Sequence, residues 1–97
     1  MKIYEGCRGL DGAVVTVDGA PLDPRLDIHR FSRGFEWTYT GNAPRQLALA
    51  LLADHLGDPA RALSITESFM RGVVADLDNA WRLTGAEIDA ALATLTE

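Results

Sequence analysis

From Gly34 to Leu56 the chain reads Gly-Phe-Glu-Trp-Thr-Tyr-Thr-Gly-Asn-Ala-Pro-Arg-Gln-Leu-Ala-Leu-Ala-Leu-Leu-Ala-Asp-His-Leu, its most strongly patterned stretch. Phe35, Trp37 and Tyr39 alternate with Glu36, Thr38 and Thr40. Apolar residues at every second position predict a strand with one buried face. Gly41-Asn42 then interrupts the pattern. Asn42 is a candidate N-cap, because its side-chain oxygen can accept from a free amide of a first helical turn. Pro44 follows at an early helical position, where a missing N–H removes no bond. From Leu47 to Ala53 there is no polar side chain. A surface helix carries one apolar stripe, so this helix is expected to be buried nearly all round. Gly57 is placed to end it in the left-handed conformation.

The N-terminal third reads as strands. Lys2 to Gly6 and Ala13 to Asp18 are two of them, separated by a glycine-rich stretch, Gly6 to Gly12, that composition assigns to a loop. Asp18-Gly19 is a strong hairpin signal, and Ala20-Pro21-Leu22 can return as a short edge strand. Asp23-Pro24-Arg25 reads as a turn, and Leu26 to Arg33 has no period and reads as loop.

Downstream, Asp58-Pro59 is an N-cap with proline at the first helical position. Ala62, Ile65, Thr66, Phe69, Met70, Val73 and Leu77 recur at threes and fours as one stripe, which serves a core or a dimer face. Gly72 inside that helix costs about 1 kcal/mol against alanine, unless it admits a close helix contact. After Asp78-Asn79, Ala80 to Leu83 is a short strand candidate, and Thr84-Gly85-Ala86-Glu87 fits a capping box before a helix carrying Ile88, Ala91, Leu92 and Leu95. The sum is a single α+β domain over residues 1–97: three to four antiparallel strands with about three helices on one face.

Charge changes the picture. The net charge is −5, and its distribution is one-sided. Residues 1–45 hold six bases and six acids, whereas residues 46–97 hold three bases and eight acids. This balance argues against non-specific nucleic-acid binding, which needs phosphate neutralisation, and suits a basic protein surface. Arg25, Arg30, Arg33 and Arg45 are the residues from which a DNA-binding face would have to be built. Cys7 is the only cysteine, which fits a reducing, cytoplasmic setting, and no apolar run after Lys2 suggests a signal peptide.

Candidate chemistry is sparse. His29 and His55 share no metal-ligand spacing with Cys7, so neither a metal nor another cofactor is expected. His55 near a helix end suits the helix dipole. A nucleophilic set of Cys7, either histidine and Asp54 would need a convergence that sequence alone does not supply. Glu36 is expected to pair with Arg8 or Arg30.

The segment Gly34 to Ala50 follows a Gly-Phe-Glu-Trp-x-Tyr-x-Gly-x-x-Pro-x-Gln-Leu-Ala-Leu-Ala motif. With Tyr4-x-Gly6-x-Arg8, Val15 to Leu22 and Trp81-x-Leu83-Thr84, the chain resembles a family of small uncharacterised bacterial, archaeal and phage proteins, a domain of unknown function. Thr38, Thr40 and Ala43 stand where that family tends to have glycine. The resemblance implies a coherent fold and no chemistry. Its association with mobile elements implies a phage or prophage accessory role, such as inhibition of a host defence complex of the CRISPR kind. The expectation is therefore a non-enzymatic protein-binding module, of anti-CRISPR type in its most specific form, acting through Asp76, Asp78, Glu87 and Asp89. The alternative is a small-molecule-binding domain or small enzyme using Arg8, Glu36 and Gln46.

Overall fold

The computed structural model describes residues 2–10 and 12–95. Strands β1 (Ile3–Gly9) and β2 (Gly12–Val17) form a hairpin, β3 (Ala20–Pro21) extends it, and β4 (Trp81–Thr84) joins from the far end of the chain. The sheet order is β3-β2-β1-β4 and every pairing is antiparallel. Helices α1 (Asn42–Leu56), α2 (Pro59–Gly72) and α3 (Gly85–Leu95) complete the α+β fold that the patterns predict, with a 3-10 turn at Val74–Asp76 between α2 and β4.

Register assigns the two faces of the sheet. Tyr4 pairs with Val17 and Leu83, and Gly6 with Val15 and Trp81, so these side chains share the inner face. Glu5 pairs with Thr16 and Arg82, and Cys7 with Val14, on the outer face. Tyr4, Val15 and Trp81 belong to the same buried cluster as α1, Phe69, Met70, Val74, Ile88 and Leu92. The helices therefore cover the inner face, and the outer one is left open.

Helix α1 is the centre of that cluster. Leu47 to Leu52 are all 0% exposed, as the unbroken apolar run predicts. Burying each leucine side chain contributes about 2 kcal/mol gross, against the entropy of ordering it. Gly57 ends the helix at φ 65°, with its amide donating to the Ala53 carbonyl. Two other local signals hold in full. Asp58 accepts from the Arg61 amide at 3.1 Å to start α2, and Thr84 and Glu87 exchange reciprocal bonds of 3.1 Å at the start of α3. Asp18 and Gly19 have φ 50° and 85°, the two positive values a type I′ hairpin turn requires.

Four readings need correction. The glycine-rich stretch after Gly6 is not all loop, since pairing continues to Gly9 opposite Gly12 (Asp11 lies outside the described residues). Gly6 is there because Trp81 fills the space of a side chain: a Cβ would sit 2.4 Å from the indole. Next, Phe35 to Tyr39 is not a strand. Trp37 is 0% exposed while Tyr39 is 49% exposed, and Thr38 at φ 78° turns the chain out of any extended run. Asn42 is not the N-cap: Gly41 occupies that position without a side-chain bond, and the Asn42 side-chain oxygen Oδ1 accepts from Arg45 Nη1 at 3.0 Å instead. Finally, α2 ends at Gly72, so Val73 and Leu77 of the predicted stripe lie beyond it. Gly72 does admit a close helix contact, with Leu95 2.8 Å from where a Cβ would stand. Phe69 and Met70 are both 0% exposed and serve the core.

Candidate functional site

The inner face of β1 ends in Arg8, and the guanidinium there gathers three parts of the chain. Its Nε and Nη2 donate to Glu36 Oε1 at 3.1 and 2.8 Å. Nη2 also donates to the Trp37 carbonyl at 2.9 Å and to Thr38 Oγ1 at 3.3 Å, and Nη1 donates to Asn79 Oδ1 at 2.5 Å. The cation lies 4.6 Å from the Trp37 ring centroid, within range of a cation–π contact. Trp37 meets Trp81 edge to face at 5.7 Å and 85°, and Trp81 lies against Gly6. A five-donor planar fork suits this many convergent acceptors, which lysine could not replace.

One consequence is a fixed connection between α2 and β4. The Val74 carbonyl accepts from the Thr38 amide at 3.2 Å, and the amides of Asp76 and Leu77 donate back to Val73 and Val74. Asn79 is held by Arg8 at the other end. Between these fastenings Asp76 and Asp78 are exposed, and their carboxylates make no hydrogen bond or ion pair among the described residues.

The other two predicted acids have internal roles. Glu87 closes the capping box, and Asp89 Oδ1 lies 2.7 Å from His55 Nε2, joining α3 to the last turn of α1. The four carboxylates are thus unequal: two are free and two already hold helix α3.

Arg8 and Glu36 come together as predicted, but Gln46 does not join them. Gln46 is 0% exposed. Its oxygen accepts from the Phe31 and Ser32 amides at 2.7 and 3.2 Å, and its nitrogen donates to the Pro24 and His29 carbonyls at 2.6 and 3.2 Å. That uses the full bonding capacity of a primary amide. Gln46 fastens the loop whose sequence has no period, and its one signal was a polar residue at the start of an apolar helix.

A second polar group was missed because its members are far apart in sequence. The Tyr4 phenol donates to Asp54 Oδ2 at 2.7 Å, and Lys2 Nζ reaches the same oxygen at 3.0 Å. Burial first, then the bonded carboxylate of Asp54, pushes the Tyr4 phenol well above its ordinary range. Lys2, Asp54, His55, Gly85, Ala86 and Asp89 line an open cavity of about 410 Å³ there. Cys7 stands on the opposite face of the sheet from Tyr4, so the structure does not assemble Cys7 with Asp54 and His55. Among the described residues no three His, Cys, Asp or Glu side chains could hold a metal ion.

The arginines of the imagined basic face are partly spent: Arg25 pairs with Asp27 and Arg45 with Glu67. Among the described residues no helix is long and apolar enough to cross a membrane.

A protein-family model, described as a family of unknown function, DUF6166, matches residues 4–94. No curated protein and no solved structure matches the chain significantly.

Proposed function

This chain belongs to the DUF6166 family of unknown function, and we propose that it is a non-enzymatic protein-binding module that docks on a basic surface through the acidic connection between α2 and β4. The observation carrying this reading is a pair of exposed carboxylates, Asp76 and Asp78, without a partner among the described residues, on a segment fastened at Val74 and at Asn79. A charged loop held in one shape before binding loses little entropy on binding. The surplus of five acids over bases in residues 46–97 adds long-range steering toward a cationic partner. Glu87 and Asp89 on α3 extend that acidic side while also holding the helix.

In its most specific form the partner is a nucleic-acid-binding subunit of a host defence complex such as CRISPR, and the module is phage- or prophage-encoded, its carboxylates competing with phosphates for a basic groove. The test is capture of partners from host lysate by wild type and by Asp76→Lys/Asp78→Lys, quantified by mass spectrometry. A stoichiometric basic partner lost on double reversal is expected. Recovery unchanged by the reversal would remove the basis of the proposal.

A second reading takes its support from the cavity lined by Lys2, Asp54, His55 and Asp89. There a small ligand would meet a histidine–carboxylate pair, rather than the Arg8, Glu36 and Gln46 set that sequence suggests. A ligand-induced rise in melting temperature that His55→Ala abolishes would favour it.

A further inference from the structure

The outer face of the sheet presents Ile3, Glu5, Cys7, Val14, Thr16 and Arg82 by register, and among the described residues no helix covers it. At its middle, Glu5, Cys7, Val14, Thr16 and Ala80 line a shallow groove of about 330 Å³ together with Gly6 and Trp81. Val14 is 51% exposed there, and Leu10 at the hairpin tip is fully exposed. Cys7, Val14 and Ala80 thus form a small uncovered apolar strip bordered by Glu5, Thr16 and Arg82.

Its charges say what docks. Among the described residues of the paired strands, Glu5 and Arg82 are the charged residues of this face, one of each sign. They stand directly opposite each other on β1 and β4, both exposed. Neither makes an ion pair or side-chain hydrogen bond among the described residues. The face is therefore neutral and self-complementary, unlike the helical side, where excess acid would repel a second copy. A two-fold axis places residue i against j and j against i, so one Glu5–Arg82 match across copies always comes as two.

We infer that a second copy of this chain docks on the outer face of the sheet, with Glu5 of each copy opposite Arg82 of the other and Cys7, Val14 and Ala80 in the apolar centre. This assigns self-association to a surface away from the buried Phe69–Met70 pair. It does not depend on the partner proposed for the acidic loop, which lies on a different segment, and it would make each assembly bivalent.

The test is a charge exchange followed by sedimentation equilibrium. Wild type is expected to dimerise reversibly. Glu5→Arg and Arg82→Glu should each weaken dimerisation by about tenfold or more, since like charges then face across the axis. An equimolar mixture of the two variants should recover a heterodimer of near wild-type affinity, because the paired arginines of one copy then meet the paired glutamates of the other. Circular dichroism of each variant establishes that it is folded. A wild type that stays monomeric at high concentration would overturn the inference, as would variants that dimerise as well as wild type or a mixture that fails to associate.

Discussion

Two side chains fasten the irregular parts of this domain, and they do it by opposite means. Gln46 is neutral and fully buried, and it spends four hydrogen bonds on the backbone of residues 24–32. Arg8 is charged, with its side chain 30% exposed, and it ties Glu36, Trp37, Thr38 and Asn79 to the end of β1. The buried amide acts mainly on stability, because each lost bond leaves a part-buried backbone group without its partner. The exposed guanidinium acts mainly on position, because solvent and salt screen its charge interactions. A fold can thus place a loop firmly at high energetic stakes, or hold an exposed segment in shape at low ones.

The largest expected effect breaks the first fastening. Gln46→Ala orphans the Phe31 and Ser32 amides and should cost about 3 kcal/mol in urea unfolding, with little dependence on salt. Arg8→Ala should cost less, about 1 to 2 kcal/mol, with the loss shrinking at high salt. Its signature is faster amide exchange at residues 74–79 than elsewhere. If Arg8→Ala proved the costlier of the two, the contrast would be reversed.

Thr38 sharpens the second fastening. At φ 78° it holds a conformation that a β-branched residue adopts at a cost of about 1–2 kcal/mol. Thr38→Gly removes that strain but gives up the hydroxyl that accepts from Arg8 and adds unfolded-state entropy. The expected net gain is about 0.5 kcal/mol by thermal melt. A loss would mean the hydroxyl contact outweighs the strain.

The smallest effect concerns acid. Hydrogen bonds from Arg45 and then Arg71 pull the Glu67 carboxyl from 4.5 to about 2. A folded pKa below the unfolded one contributes stability that is present above about pH 4.5 and disappears as pH falls toward 2. Glu67→Gln should therefore flatten the stability profile in that window, lowering stability slightly at pH 7 and leaving it unchanged near pH 2. An unchanged acid limb would show that this exposed network is not formed in solution.

Much of the architecture was legible because it rests on local chemistry. The apolar run of α1, the caps at Asp58 and at Thr84–Glu87, the left-handed Gly57 and the Asp18-Gly19 turn are each decided by a few neighbouring residues. What misled was local pattern overruled by distant partners. The aromatic alternation of Phe35 to Tyr39 looks like a strand, but Arg8 takes the Trp37 carbonyl and Val74 takes the Thr38 amide. Gly6 looks like loop until Trp81, from the far end of the chain, is laid upon it. At the candidate site the acidic excess and the Arg8–Glu36 pairing were readable. The distinction between free Asp76 and Asp78 and engaged Glu87 and Asp89 was not, because it depends on contacts with Thr84 and His55.

The central claim is that the fastened acidic connection is the binding surface. Hydrogen–deuterium exchange of the domain, alone and with a partner captured from host lysate, tests it most directly. The account predicts that partner binding slows exchange in residues 74–79, and that Asp76→Lys/Asp78→Lys abolishes that protection. Protection confined to other parts of the domain, with residues 74–79 exchanging as in the free protein, would contradict it.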